Sequence, residues 1–273
     1  MKITVFTSNQ PRHIALIEKL IAQGFQINAV VEASTICPGE VQDLHQKSGL
    51  HARYFKKVLE SEKYFFNAVR PIRKINNLLV IRIGDVNFLQ QSQLIDFLQS
   101  DIYIVFGASY IKGWLCDFLM ARHAINIHMG LSPFYRGSSC NFWACYDNNF
   151  EYVGATLHLL SRGLDSGKII KLIHANPKYI SDRFLYTMSS VENGQNGLIE
   201  TLCSGLDFVN SAIDQNIEYQ IRYSKKREFT EQHISEYLTR EESSIEENEL
   251  ENRIKIVSER FKTFSGLTDN PTN

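Results

Sequence analysis

Hydrophobic positions come in short runs at the start of the chain, and the runs alternate between two rhythms. "KITVF" (2–6) is a compact apolar run of strand length. "HIALIEKLIAQG" (13–24) then places apolar residues at helical spacing and closes on Gly24. "INAVVEA" (27–33) is again a strand. Strand, helix and strand joined by short connections predict parallel strands with a right-handed crossover. The pattern recurs. The stretch from Glu40 to Phe66 is polar with a helical rhythm, and "LLVIRI" (78–83) is a third strand. "SQLIDFLQS" (92–100) has helical spacing, and "DIYIVFG" (101–107) is the strongest strand of the chain. "IKGWLCDFLMAR" (111–122) is helical and "AINIH" (124–128) is the next strand.

Beyond residue 150 the texture changes. "YVGATLHLLS" (152–161) alternates with period two, and "KIIKLIHANP" (168–177) is a further strand. The run 183–213 has the spacing of one long helix, interrupted near Gly194. "IEYQIRYS" (217–224) predicts a short strand before the basic "KKREF". From Arg240 the chain is rich in charge, Ser and Glu, with one amphipathic piece, "LENRIKIVSERF", and a frayed end at "TDNPTN". The expected fold is α/β: a Rossmann-like, doubly wound, mostly parallel sheet with a smaller C-terminal α+β part. The expected division is a catalytic unit over 1–200 and a C-terminal extension over 201–273, helical with a short strand and an acidic tail.

Composition narrows the classes. The chain has 273 residues, 44% of them hydrophobic, enough for one large domain or one domain with a small appendage. With 29 basic and 30 acidic residues the formal net charge is −1, which lacks the excess expected of a nucleic-acid binder. No run approaches the ~18 apolar residues of a membrane span, and the N-terminus is a strand rather than a signal segment. The five cysteines (Cys37, Cys116, Cys140, Cys145 and Cys203) are odd in number and irregularly spaced. They suggest neither a disulfide framework nor a zinc site, and point to a reducing cytoplasm. No metal, nucleic acid or membrane is expected. Apolar positions over 200–260 suggest pairing of subunits as a homodimer.

The chemistry concentrates at "INIHMGLSPFYRG" (125–137). Asn126 and His128 stand two residues apart on a strand, so both side chains leave the same face. A Pro/Gly turn carrying Tyr135 and Arg136 follows. Farther on, Gly154, Thr156 and His158 alternate along a strand, and Asp165, Gly167 and Ile169 form an Asp-x-Gly-x-Ile run. Taken singly, Asn-x-His is more often structural and Asp165 beside Gly163 and Gly167 is a turn former.

In this order, these motifs resemble the signature of the folate-dependent formyltransferases. In that family an Asn-x-His strand leads into a Ser/Leu/Pro loop and Tyr-Arg-Gly, followed by Gly-x-Thr-x-His and Asp-x-Gly-x-Ile. The resemblance is specific over 101–172, reasonable over the preceding α/β part and weak past 200. "GLSP" and "GSSCNFWA" depart from the usual runs and mark a divergent branch.

The resemblance implies an enzyme that moves a formyl group from N10-formyltetrahydrofolate, its co-substrate, to an amine. Asn126, His128 and Asp165 are then the catalytic residues. Asn126 and His128 donate to the oxyanion of a tetrahedral species, each preorganised donor being worth ~3 kcal/mol. Asp165 favours the imidazolium and receives the proton of the amine. His158 supports the site. The folate pocket is expected at "IRIGDVN", with Ile83, Asp85, Val86 and Asn87 as its residues, and at Gly163 and Leu164.

"TSNQPRH" (7–13) opens the first helix. It is either a plain cap by Ser8 or Asn9 with Pro11 in the first turn, or a site where Ser8, Asn9 and Arg12 receive a substrate phosphate. Tyr135 and Arg136 are placed to line the acceptor cleft.

Length and layout are most similar to the sugar N-formyltransferases, which act on nucleotide-linked amino sugars for surface polysaccharides such as the O-antigen of lipopolysaccharide. The methionyl-tRNA and glycinamide ribonucleotide enzymes are alternatives. So, outside enzymes, is a non-catalytic nucleotide-binding α/β module.

Overall fold

The computed structural model describes residues 1–34, 48–67, 75–205, 207–240 and 245–264. Cys37, the residues 40–47 and the terminal "TDNPTN" lie outside them. Seven strands form one sheet in the order β3-β2-β1-β4-β5-β7-β8. β1 (Lys2–Ser8), β2 (Gln26–Ala33), β3 (Asn77–Arg82), β4 (Ile102–Phe106) and β5 (Ile125–His128) are parallel. β7 (Gly154–Leu159) runs antiparallel to β5, and β8 (Ile169–His174) antiparallel to β7. A second, two-stranded sheet pairs β6 (Tyr135–Gly137) with β9 (Arg222–Ser224).

Alternation along each strand splits the core into two layers. Ile3, Val5, Ile104, Phe106, Ile125, Ile127, Ala155 and Leu157 share one cluster. In it they pack with Leu16, Ile17 and Leu20 of α1 (Pro11–Ala22) and Leu198 of α5 (Arg183–Cys203). Phe6, Val30, Tyr103 and Val105 belong to the opposite cluster with Leu115 and Leu119 of α3 (Gly113–Ala121). Because Ile125 and Ile127 face α5, Asn126 and His128 face the other way. The same alternation on β7 sends Thr156 and His158 to that side. The fold itself therefore gathers these four side chains on one face.

Local expectations fail in four places, the last of them the strand expected over 217–224, where Ile217–Tyr219 is a 3₁₀ turn and only Arg222–Ser224 (β9) is a strand. The segment 92–100 is not an α-helix; it holds a 3₁₀ turn at Gln91–Gln93 followed by turns. Its carbonyls are drawn to other partners: Thr4 Oγ1 donates to Phe97 O at 2.7 Å and Asn28 Nδ2 to Asp96 O at 3.1 Å. Leu94, Phe97 and Leu98 are buried, so tertiary packing overrides helical spacing. Neither Ser8 nor Asn9 caps α1, whose N-cap is Gln10 without a side-chain bond. The Asn9 amide oxygen instead accepts from Ser34 N (3.0 Å) and Ser34 Oγ (3.1 Å).

The third failure is at α5, which runs unbroken through Gly194 and ends at Cys203. Gly194 is there for contact rather than flexibility: a Cβ would stand 2.8 Å from Ala155 Cβ. Gly194→Ala is expected to lower stability by about 1–3 kcal/mol, the usual cost of overpacking. A chemical denaturation curve unmoved from wild type would contradict this close helix–sheet contact.

α2 (Gly49–Phe66) and α4 (Cys140–Tyr146), with α6 (Glu231–Thr239) and α7 (Glu247–Phe264), complete the chain. Tyr237, Leu250 and Val257 of the last two helices join a third core with Trp143, Phe142 and Tyr186. Arg222 of β9 lies over the Trp143 ring at 3.7 Å and pairs with Asp147 at 2.8 Å. No described helix is long and apolar enough to cross a membrane.

Candidate active site

The cleft lies at the C-terminal ends of the parallel strands, the usual ligand position in such sheets. It has two lobes that share Asn126, Asp165, Ala108 and Leu164. The smaller, about 140 Å³, is walled by Val105, Tyr110, Ile111, Leu160 and Leu164, with Gly163 at its edge. The larger, about 490 Å³, is mixed, with Ser8, Gln10, Arg12, His13, Glu32 and His128 beside Ile83, Phe106 and Met129. Glu32, only 2% exposed, accepts from Gly84 N at 2.8 Å and from Ser109 N at 2.5 Å. One carboxylate at the end of β2 thus ties together two loops of the cleft.

Register sets the centre. Asn126 pairs with His158 across the β5–β7 ladder, and His128 with Thr156. His158 Nδ1 lies 2.9 Å from Leu159 O, a contact that requires a proton on Nδ1. In that tautomer Nε2 is an acceptor, and it meets Asn126 Nδ2 at 2.9 Å. The bond fixes the Asn126 amide with its NH2 inward, one hydrogen on His158 and the other left for the cleft. His158 Nε2 also lies 3.8 Å from Asp165 Oδ1.

Thr156 Oγ1 holds the following turn, donating to Gly130 O (2.6 Å) and accepting from Ser132 N (2.9 Å). Asp165 arrives on the loop between β7 and β8 with a left-handed backbone, φ 48°. Its Oδ1 lies 3.2 Å from His128 Nδ1, and both side chains are nearly buried. The loop needs Gly167: a Cβ there would stand 1.7 Å from Leu159 O.

Burial is the largest single influence on His128 and pulls its pKa down, but the Asp165 charge and hydrogen bond, with Cys140 beside the ring, outweigh it and raise it well above the ordinary imidazole value. Burial likewise pushes the Asp165 carboxyl up, and the His128 cation and its hydrogen bond more than offset this and hold it far below the ordinary carboxylate range. The stable state is an imidazolium–carboxylate pair. His128 Nε2 is held only loosely, 3.4 Å from Tyr135 O.

The other expected site residues divide. Ile83 is exposed and lines the larger lobe; Gly163 and Leu164 line the smaller one. Val86 is buried in the α3-side core. Asp85 pairs with Arg82 at 3.2 Å, and the Asn87 amide bonds Tyr110 O and Lys112 N. Contrary to expectation, none of these three residues lines either lobe of the cleft.

Ser8 lines the larger lobe with Oγ on Ser34 Oγ. Arg12 lines it too, with Nη1 2.7 Å from the buried Glu62 Oε1. Tyr135 is buried, its hydroxyl set between Asp147 (3.2 Å) and Asn149 (2.7 Å). Arg136 Nη2 donates to Leu164 O at 2.8 Å. Contrary to expectation, neither residue lines the two lobes; Arg136 braces the Leu164 loop and Tyr135 anchors the segment after α4.

Several residues went unread in the sequence. Gln10 (4% exposed) and His13 (6% exposed) line the larger lobe, and Gln10 Oε1 and His13 Nδ1 are buried without hydrogen-bond partners. Burial, then the nearby Arg12 charge, pushes His13 well below the ordinary value, so the ring is neutral. Gln10 and His13 stand inside "TSNQPRH", yet only the packing of His13 on Phe106, ring centroids 4.9 Å apart, turns this stretch into the floor of a cleft. Glu62 and Gln215 reach the site from distant segments with no local motif.

No protein-family model matches the sequence. Among solved structures, the chain is similar to a sugar N-formyltransferase from Shewanella sp FDAARGOS_354, with 15% identity over 84% of this chain and 78% of that one, TM-score 0.51. A 4-N formyltransferase from Francisella tularensis aligns with 16% identity over 84% of this chain and 77% of that one, TM-score 0.49. At this identity the likeness is one of architecture: the chain has the Rossmann-like α/β fold of a solved sugar N-formyltransferase.

Proposed function

We propose that the protein transfers a formyl group from N10-formyltetrahydrofolate to the amine of a nucleotide-linked amino sugar. The observation that carries this reading is the convergence of Asn126, His128 and Asp165 on one cleft, with His128 and Asp165 paired at 3.2 Å. The shared fold with a sugar N-formyltransferase supports it. So does the division of the cleft into a mainly apolar slot and a more polar lobe that meet at Asn126 and Asp165.

The residues fit the folate donor. A flat heterocycle needs apolar walls and main-chain partners, and the smaller lobe offers Val105, Ile111, Leu160 and Leu164 beside the backbone at 108–111 and 161–163. The donor supplies an activated formyl carbon. The free N–H of Asn126 is oriented by His158 to stabilise negative charge developing on the formyl oxygen. The His128 imidazolium adds a positive charge beside it and is a proton source on the donor side. Asp165 keeps His128 charged until that proton is given to the donor side, and the Asp165–His128 pair then takes up the proton released by the attacking amine, directly or through water.

In the larger lobe the unpartnered atoms of Gln10 and His13 suit neutral hydroxyl or amide groups of a sugar, and Arg12 suits an anionic group.

The test is a formylation screen. N10-formyltetrahydrofolate is combined with dTDP-, UDP- and GDP-linked amino sugars, and mass spectrometry reads the gain of a formyl group. Initiator methionyl-tRNA and glycinamide ribonucleotide are included as acceptors. Formylation of at least one amino sugar and neither of the other two is expected. Formylation of the tRNA alone, or of the ribonucleotide alone, assigns a different acceptor. Folate binding with no acceptor formylated favours a non-catalytic module.

A further inference from the structure

We propose that Gln215, from the segment after residue 200, is a positioning residue for the Asp165–His128 pair: its amide clamps the loop that aims the Asp165 carboxylate. One NH2 group makes both contacts, with Gln215 Nε2 2.9 Å from Asp165 O and 2.7 Å from Gly167 O. Two carbonyls facing one amide leave no freedom in its orientation, because the amide oxygen turned toward them would be repelled. Gln215 Oε1 is buried without a partner, so the side chain is placed for its two donated bonds alone.

The segment is itself anchored to the loop's end. Ile213 and Ile169 exchange backbone bonds of 2.8 and 2.7 Å, and Lys168 Nζ meets Asp214 Oδ2 at 3.2 Å. On the other side of Asp165, Arg136 holds Leu164 O. The loop is therefore gripped on both sides of the catalytic carboxylate.

The grip matters because Asp165 has a left-handed backbone, φ 48°. For a residue other than glycine that conformation persists when its surroundings hold it. Without the Gln215 donor, both carbonyls turn toward water and the loop relaxes. Asp165 Oδ1 then leaves its position beside His128 Nδ1.

The other groups facing His128 do not replace it. Cys140 touches the ring, the His158 ring centroid is 6.5 Å away, and Tyr135 offers only a carbonyl at 3.4 Å. A buried imidazole stripped of its carboxylate holds its proton less tightly.

The catalytic part of this inference rests on the formyl-transfer reading; the clamp itself does not. The test uses the full chain with 13C-labelled histidine, and follows the His128 ring resonance against pH in wild type, Gln215→Glu and Gln215→Met. Gln215→Glu keeps the shape and removes the donor; Gln215→Met keeps the length without adding a charge. Gln215→Met is expected to lower the His128 midpoint by about one pH unit or more, a tenfold loss of proton affinity, and Gln215→Glu by less, because its added negative charge favours the imidazolium. The thermal midpoint should stay close to wild type.

With an acceptor in hand, kcat should fall about 10- to 100-fold, the scale of a small misplacement of a reacting group, with folate KM nearly unchanged. An unchanged His128 midpoint in both variants overturns the clamp, even if kcat falls. A wild-type protein that formylates nothing overturns the functional reading and leaves the clamp to be decided by the titration.

Discussion

Replacing His128 by Asn is expected to lower kcat for formyl transfer by about 10²- to 10⁴-fold, the combined scale of losing a charged donor and a general acid. Asn126→Ala removes one oriented donor and is expected to cost about 3 kcal/mol of transition-state stabilisation. Asp165→Asn should be as damaging and should also leave a distinct signature. In wild type His128 is raised well above its ordinary value, so activity that needs the imidazolium persists at neutral pH and falls only as pH rises through that raised midpoint. Without the carboxylate, burial dominates and the midpoint drops below the ordinary value, so the falling limb of the kcat profile moves to lower pH.

Stability follows the same groups with opposite signs. The raised His128 contributes stability that is complete below its unfolded value and is lost as pH rises through its folded value. The depressed Asp165 contributes stability present above its unfolded value and lost as pH falls toward its folded one. Near-wild-type turnover in His128→Asn, or an unmoved alkaline limb in Asp165→Asn, would sink the mechanism.

The parallel sheet was readable because buried central strands write themselves as short apolar runs between helical spacings. Every strand from "KITVF" to "AINIH" lies where the runs place it, within a residue or two at the ends. The juxtaposition of Asn126, His128 and Asp165 was readable because they sit in compact motifs, and strand periodicity puts Asn126 and His128 on one face. What the sequence did not disclose is long-range. The segment 92–100 has helical spacing, but its carbonyls serve the side chains of Thr4 and Asn28. Gly194 looked like a break and is a contact surface. Tyr135 and Arg136 closely follow β5, yet their polar ends turn to Asp147, Asn149 and Leu164. Gln215 meets Asp165 across 50 residues of chain, a distance no local pattern encodes.

Arg12→Ala is expected to do two separable things. The first is structural. Glu62 is fully buried, and its Oε1 accepts from both Arg12 Nη1 (2.7 Å) and Arg12 N (3.1 Å), while Oε2 has no partner. Removing the guanidinium strands that carboxylate, and breaking a buried pair from one side costs about 3–5 kcal/mol. For a chain of this size that is a drop of roughly 6–20 °C in thermal midpoint.

The second effect is on the acceptor. Arg12, with a side chain 27% exposed, brings a guanidinium to the larger lobe from a segment far from His128 in sequence. Losing a hydrogen bond to an anionic group costs about 1.5–3 kcal/mol, or roughly a 10- to 150-fold rise in acceptor KM. The double variant Arg12→Ala, Glu62→Gln separates the two, since a neutral amide beside the vacated guanidinium needs no cation. It should recover much of the lost thermal stability and keep the raised acceptor KM, with the folate KM near wild type throughout. If the double variant restores the acceptor KM along with the stability, Arg12 serves only to neutralise Glu62. If the folate KM rises instead, the larger lobe belongs to the donor and the two lobes have been assigned the wrong way round.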